Sequence, residues 1–132
     1  MEKFTLSTSA KTIMINITGN VRKIIDDIGL KEGICYIYVP HTTAGITINE
    51  SADPDVISDM IMELNKIVPY QDNYQHLEGN SAAHIKSSLI GSSVSVIIEN
   101  GNLQLGTWQG IFLCEFDGPR QRQVWVKLTR SN

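Results

Sequence analysis

Alternating apolar and polar positions predict a chain built mainly of short β-strands. Residues 12–18 carry isoleucine at every second position, which is the period of a half-buried strand. Residues 33–39 and 45–49 are rich in β-branched side chains and predict two further strands. The same alternation appears in four other segments: residues 1–7, 94–98, 103–105 and 109–117.

Two turn signals predict how the carboxyl-terminal strands are connected. Asn100-Gly101, between two alternating segments, is typical of a tight hairpin turn. The sequence Asp-Gly-Pro-Arg at residues 117–120 predicts a second turn. We therefore expect residues 122–128 to form a strand that pairs back on residues 109–117.

Apolar residues spaced three and four apart predict helices between the strands. Thr18 is expected to cap the first helix, and Gly29 suits the left-handed residue that ends it. Asp53 followed by Pro54 predicts the start of the second helix, because the carboxylate caps and proline needs no N–H there. Pro69 is expected to end it.

A third helix is predicted between an irregular loop at residues 69–80 and Gly91. Either Asn80 or Ser81 can cap it. His84 is expected to lie off the face that packs on the core, and three residues are expected to form that face: Ala82, Ile85 and Leu89.

This order of elements predicts a single α+β domain covering residues 1–132. We expect mostly antiparallel, β-sandwich-like sheets with about three helices. The β-rich end carries apolar residues on both faces of its strands. Because a small domain can cover both faces by self-association, we expect a symmetric homo-oligomer.

Composition excludes several classes of partner. The chain is 42% hydrophobic and 19% charged, with a net charge of −3 and no run of basic residues. Attraction to nucleic acid or to an anionic membrane is therefore not expected. No apolar window approaches the length of a membrane span, and we expect a cytoplasmic protein. Cys35 and Cys114 lie in apolar segments and are expected to be reduced core residues.

Three histidines, His41, His76 and His84, are the first candidates for chemistry. Neutral imidazoles bind zinc or a similar divalent ion, and three of them leave a position open for water or substrate. Alternatively, the three are independent surface or capping residues. Their spacing matches no local metal-binding motif, so the fold would have to bring them together.

Other polar residues offer further chemistry. Glu50, between a strand and a helix start, can serve as a general base or orient a metal ligand. Trp108, followed by Gln109, lies between two glycines and can stack on an aromatic ring or pack at an interface. Arg120 and Arg122 flank a turn where they can grip a phosphate or form ion pairs. We assign Arg120 to function and Arg122 to structure.

Five motifs stand out along the chain: HTTA at 41–44, NE at 49–50, YQHLEGNSAAH at 74–84, LGTWQ at 105–109 and EFDGPR at 115–120. Together they resemble the YjbQ family, whose members are described as secondary thiamine-phosphate synthases. The resemblance implies a homotrimer of α+β subunits. It also implies a pocket that binds a divalent metal, with zinc as the first choice, through three histidines: His41, His76 and His84.

The resemblance further implies which residues act on a small phosphorylated molecule. Catalytic roles are expected for the three histidines together with Glu50 and Arg120, and substrate contacts for Asn80, Trp108 and Gln109. The implied reaction joins a hydroxymethylpyrimidine pyrophosphate to a thiazole phosphate. A metal-dependent hydrolase and a non-catalytic trimer that binds a small anion are the alternatives.

Overall fold

The computed structural model describes residues 1–131, which form eight strands and three helices. In chain order these are β1 (Glu2–Ser7), β2 (Ile13–Asn16), α1 (Thr18–Ile28), β3 (Gly33–Tyr38), β4 (Ala44–Glu50), α2 (Pro54–Ile67), α3 (Ser81–Ile90), β5 (Ser93–Glu99), β6 (Asn102–Leu103), β7 (Gln109–Glu115) and β8 (Gln121–Arg130).

The strands form two sheets. The larger has the order β1-β8-β3-β5-β6, and the smaller has the order β2-β7-β4. Neighbouring strands in both sheets run antiparallel. The predicted α+β class with mostly antiparallel sheets and three helices is therefore confirmed.

Apolar side chains cover both faces of the smaller sheet. On one face, Ile46 and Leu113 pack with Ile37 and Val126 of the larger sheet, and Val21 of α1 joins this core. On the other face, a second buried cluster includes Ala83 of α3 and packs against apolar residues of α2; its members are Met14, Ala83, Phe112, Cys114 and Phe116. Burial on both sides explains why β7 has no polar side chain between its two ends, at residues 110–114. Both cysteines are buried and unpaired, as predicted.

Strand β8 does not pair with β7, so the predicted hairpin across residues 117–120 is wrong. Both edges of β7 are already occupied, by β2 and β4. Strand β8 instead lies between β1 and β3 in the other sheet. The turn at residues 117–120 therefore carries the chain from one sheet to the other, and it brings Arg120 close to the start of α3.

Local signals located most helix ends, with one error. Asp53 Oδ1 accepts a hydrogen bond from the Asp55 N–H at 2.9 Å, and Gly29 adopts a left-handed φ of 78°. Thr18 is wrong as a cap, because it is already the first helical residue. Its Oγ1 donates to Asn16 Oδ1 and accepts from the Ile111 N–H at 2.9 Å, which ties α1 to β7.

The buried face of α3 also differs from the prediction. Ile85 and Leu89 are exposed, whereas Lys86 and Ser87 lie inward beside the expected Ala82. Lys86 can be buried because its Nζ donates to Asn65 Oδ1 at 2.5 Å and lies 3.5 Å from the ring centroid of Tyr70. The cation therefore has polar partners inside the protein, which an apolar stripe cannot anticipate.

The outer face of the larger sheet exposes aromatic and aliphatic side chains. Tyr36, Tyr38 and Ile97 are all exposed, and the ring of Trp125 lies 5.7 Å from that of Tyr38. This is the uncovered apolar face that the sequence indicated. Within residues 1–131, none of the helices has both the length and the apolar character of a membrane span.

Candidate functional site

His76 and His84 lie next to each other at the start of α3. Their ring centroids are 5.6 Å apart and the rings are nearly perpendicular. A turn places His76: Gly79 adopts a left-handed φ of 77°, and its N–H donates to His76 O at 3.2 Å. Tyr74 and Ser81 line the same open depression as the two histidines.

A second depression lies on the other side of His84, with a volume of about 340 Å³. His41, Thr42 and Ser87 are among the residues that line it. His84 belongs to both depressions, so it links His76 on one side with His41 on the other. The fold therefore places the three predicted histidines along one continuous surface.

Gly45 allows β4 to approach the end of α3 and so builds this second depression. A Cβ at Gly45 would lie 2.7 Å from Gly91 O, which is closer than real Cβ contacts. The same carbonyl accepts the Ile46 N–H at 3.0 Å. Backbone contact, rather than side-chain packing, therefore fixes the spacing between His41 and His84.

We expect Gly45→Ala to lower the free energy of unfolding by about 1–3 kcal/mol, because the methyl group must push the α3 terminus away. Chemical denaturation measures the loss. Gly19→Ala is the matched control, since a Cβ at Gly19 in α1 has no neighbour within 4 Å. Alanine there should stabilise by about 0.5–1 kcal/mol. Equal effects of the two substitutions would contradict the close approach.

His41 is held by the backbone of β8. Its Nε2 accepts a hydrogen bond from the Gln123 N–H at 2.9 Å. Burial, and then the positive charge of nearby Arg122, lower the pKa of His41 below its usual value of 6.5. The imidazole is therefore neutral at pH 7. Because its Nε2 lone pair is occupied, the neutral ring carries its proton on Nδ1.

A polar cluster joins the start of α3 to the turn at residues 117–120. Asp117 Oδ2 accepts hydrogen bonds from Asn80 Nδ2 at 2.9 Å and from an Arg120 terminal nitrogen at 3.0 Å. Arg120 Nε also donates to Asp117 O at 2.8 Å. The Asn80 Oδ1 is buried without a hydrogen-bond partner among the described residues. The side chain of Arg120 is half exposed, so it remains available to a ligand.

Arg122, in contrast, is buried and structural, as predicted. It forms an ion pair with Glu115 and donates to Thr43 Oγ1 at 2.7 Å. Thr8 Oγ1 donates to the same carboxylate at 2.8 Å. These bonds hold the segment next to His41 against β7 and β8. The pair therefore supports the site without lining it.

Glu50, Trp108 and Gln109 lie together at the opposite end of the smaller sheet. Ala44 pairs with Glu115 at the histidine end of β4, whereas Glu50 pairs with Gln109 at the other end. Six residue steps of extended strand separate the two ends by about 20 Å. Within one chain, these three predicted residues are therefore not brought together with the histidines.

The histidine pair fits a shared metal ion in its donor chemistry and spacing. Two imidazoles bound to one tetrahedral zinc ion would have centroids roughly 5.3 Å apart, close to the separation of His76 and His84. Across residues 1–131, however, no three His, Cys, Asp or Glu side chains are grouped closely enough to hold a metal. One chain thus offers two of the three expected ligands in one place.

Sequence reasoning did not identify Ser87 or Asp117 as site residues. Ser87 follows His84 by three positions, so both lie on one side of α3. That spacing was the available signal, but serine is too common on helices for it to stand out. Asp117 was noted only as part of a turn, and its link to Asn80 depends on the change of sheet between β7 and β8.

Comparison with known proteins gives one consistent family. The family model described as "UPF0047 protein YjbQ-like" matches residues 2–131. UPF0047 protein MJ1081 of Methanocaldococcus jannaschii is 52% identical over 126 residues, covering 96% of this chain and 91% of the relative. UPF0047 protein YugU of Bacillus subtilis is 51% identical, covering 93% of this chain and 94% of the relative.

Solved structures agree. The crystal structure of an uncharacterised YjbQ/UPF0047 protein of Clostridium acetobutylicum has a TM-score of 0.96 at 53% identity and covers 98% of this chain and all of that one. A protein of unknown function from Sulfolobus solfataricus has a TM-score of 0.94 at 31% identity, covering 98% of this chain and 96% of that one. This chain is a member of the YjbQ (UPF0047) family.

Proposed function

We propose that this protein is a metal-assisted enzyme that acts on a small phosphorylated substrate, with activity of the thiamine-phosphate synthase type. The observation that carries the proposal is the position of His84, which lines two adjoining depressions with His76 on one side and His41 on the other. The reaction itself comes from the family resemblance of the five motifs.

In this reaction a C–N bond forms between the pyrimidine methylene carbon and the thiazole nitrogen. The C–O bond to pyrophosphate breaks, and the pyrophosphate leaves with the bonding electron pair. A divalent metal bound by His76 and His84 would neutralise charge on that leaving group. The guanidinium of Arg120, half exposed and oriented by Asp117, would bind the same phosphate oxygens.

We further propose that the enzyme is a homotrimer in which a neighbouring copy completes the site. The separation of about 20 Å along β4 supports this, because Glu50, Trp108 and Gln109 cannot reach the histidines of their own chain. The exposed apolar face of the larger sheet offers a surface for association. In the trimer Trp108, which is 63% exposed, would stack on the pyrimidine, and Glu50 would orient a ligand or move a proton.

The two free, buried cysteines support a reducing, cytoplasmic compartment for the enzyme. Burial raises the pKa of the Cys35 thiol to about 12, so it is uncharged and unreactive at neutral pH. Cys114 shares this burial and this direction of pKa shift. Neither thiol is assigned a role in the reaction.

Synthesis by the zinc-loaded protein tests the proposal. The wild type should form thiamine phosphate from the two precursors, detected by mass spectrometry. Arg120→Gln should raise KM for the pyrophosphate ester about 10- to 100-fold, because it removes a charged donor. Arg130→Gln, at an exposed position of β8, is the matched control and should leave KM unchanged. Release of phosphate without the joined product would instead favour a hydrolase, and the absence of any turnover would reject the proposal.

A further inference from the structure

The hydrogen bond at His41 limits what this histidine can do. A neutral imidazole has one lone pair, and here the Gln123 N–H occupies it at Nε2. Binding a metal through Nε2 would require that bond to break. Binding through Nδ1 would move the ring proton to Nε2, where it would face the Gln123 N–H. As placed, His41 is a hydrogen-bond donor through Nδ1–H and not a metal ligand.

The depression next to His41 is lined by hydrogen-bond donors. Thr42, Ser87 and Ser92 contribute hydroxyl groups, and no carboxylate is found among the described residues that line it. Ser88 also lines it, but its hydroxyl donates to His84 O at 3.0 Å. A cavity with several donors and no carboxylate favours an anionic oxygen-rich group.

Ser87 adds an independent observation. The residue is only 8% exposed, and its Oγ has no hydrogen-bond partner among the described residues. A buried hydroxyl without a partner costs free energy, so such groups usually point to a ligand or an ordered water. Ser87 lies beside His41 in the lining of the same depression.

Arg120 is the exposed charge near His41. Arg122 and Arg120 both act on His41 and lower its pKa, while Glu115 acts in the opposite direction. Glu115 is paired with Arg122 and Asp117 with Arg120, so the formal charges of these four groups cancel. The Arg120 side chain is 50% exposed and that of Asp117 only 18%, so an anion beside His41 would meet the guanidinium before its carboxylate partner.

We propose that the depression lined by His41, Thr42, Ser87 and Ser92 is a phosphate subsite in which His41 donates its Nδ1–H to a phosphate oxygen. The Ser87 Oγ is buried in the free protein, so its side chain turns toward the phosphate and gains its missing partner there. The inference rests on the proposed function for the origin of the phosphate, which belongs to one of the two phosphorylated substrates. It assigns His41 to substrate binding and leaves the metal to His76 and His84.

Titration of the full chain, freed of metal with a chelator, tests the subsite. Inorganic pyrophosphate is the probe, and calorimetry at low salt measures its affinity. His41→Phe keeps a ring but removes the donor, and Ser87→Ala removes the unpartnered hydroxyl. We expect each to weaken binding about tenfold. Ser95→Ala, exposed on the outer face of the larger sheet, is the control and should have no effect.

A zinc titration of the same proteins separates the role proposed for His41, phosphate binding, from the role proposed for His76 and His84, metal binding. His41→Phe should keep its zinc affinity within about threefold, whereas His76→Ala should lose more than about 100-fold. Loss of zinc affinity in His41→Phe with pyrophosphate binding unchanged would overturn the assignment. Failure of the wild type to bind pyrophosphate would overturn it as well. Because the pyrophosphate and zinc titrations need no turnover, failure of the synthase assay alone would not contradict the proposed subsite.

If His41→Phe does not fold, Ser87→Ala still tests the proposed subsite. Its Oγ has no bond to lose in the free protein, so alanine should not lower the denaturation midpoint. A Ser87→Ala protein of normal stability and unchanged pyrophosphate affinity would reject the subsite.

Discussion

Arg122→Met is expected to lower the free energy of unfolding by about 3–5 kcal/mol, because it leaves a carboxylate buried without its counter-charge. Glu115 is fully buried, and the side chain of Arg122 is only 3% exposed. Arg122 also donates to the carbonyl and the hydroxyl of Thr43 beside the site, so the variant loses four hydrogen bonds at once. Urea denaturation at pH 7 measures the effect.

The pH dependence of the stability loss in Arg122→Met shows whether the unpaired Glu115 carboxylate causes it. Burial alone would raise the pKa of Glu115, but hydrogen bonds from Arg122, the Asp117 N–H and Thr8 outweigh it and lower the pKa below its ordinary value of 4.5. A lowered carboxylate pKa stabilises the wild type above pH 4.5, and this contribution is lost as the pH falls through the folded-state pKa. The difference between Arg122→Met and the wild type should therefore shrink in acid.

Arg120→Met is the matched control for stability, because it breaks an ion pair of the same chemistry, arginine with a carboxylate, at the surface. Arg120 is half exposed, and exposed pairs contribute about 0–1 kcal/mol. The double variant Glu115→Gln/Arg122→Met should recover part of the loss, since no charge then remains buried. An equal loss of unfolding free energy in Arg122→Met and Arg120→Met would show that burial does not make the Arg122–Glu115 pair more important for stability than the exposed pair.

Short-range signals in the sequence were sufficient for most element boundaries. Asp53 before Pro54 and Gly29 after α1 act within one helical turn, so the chemistry of a few residues decides them. The same holds for Asn100-Gly101, where both residues have a positive φ. None of these features depends on residues distant in the chain. The alternation of apolar and polar positions within the strands likewise predicted the fold class.

Features that depend on competition between distant segments could not be predicted in this way. Strand β8 had a good local reason to pair with β7, but β2 and β4 occupy both edges of β7. The orientation of α3 was missed because Lys86 finds its partners, Asn65 and Tyr70, elsewhere in the chain. In both cases the local pattern was sound and a tertiary contact outweighed it.

The site shows the same division. The motifs identified His41, His76 and His84, but their arrangement depends on how closely β4 approaches the end of α3. That distance is set by Gly45 against the Gly91 carbonyl, a contact that no spacing in the sequence reveals. The engagement of His41 by the Gln123 N–H likewise requires β8 to be next to the 39–43 segment. The identity of the three histidines could be predicted from the sequence. Their spacing and hydrogen-bond partners could not.

His84→Ala is expected to lower zinc affinity more than about 100-fold, since even changes to residues that only support a ligand cost 10- to 100-fold. Removal of one imidazole from the pair leaves His76 with Glu78, whose Oε2 lies 3.7 Å from His76 Nε2. A single exposed imidazole beside one carboxylate is a weak zinc site. Competition with a chromophoric chelator measures the affinity.

Synthase activity should fall to background in the same variant, because His84 lines both depressions and its loss would remove a ligand of the proposed metal beside the proposed phosphate subsite. Leu89→Ala, at a 60% exposed position of the same helix, is the matched control and should retain both zinc and activity. Substitution of His84 that left zinc affinity intact would place the metal elsewhere. In that case the perpendicular packing of the His76 and His84 rings would be an aromatic contact that shapes the start of α3 and no metal site.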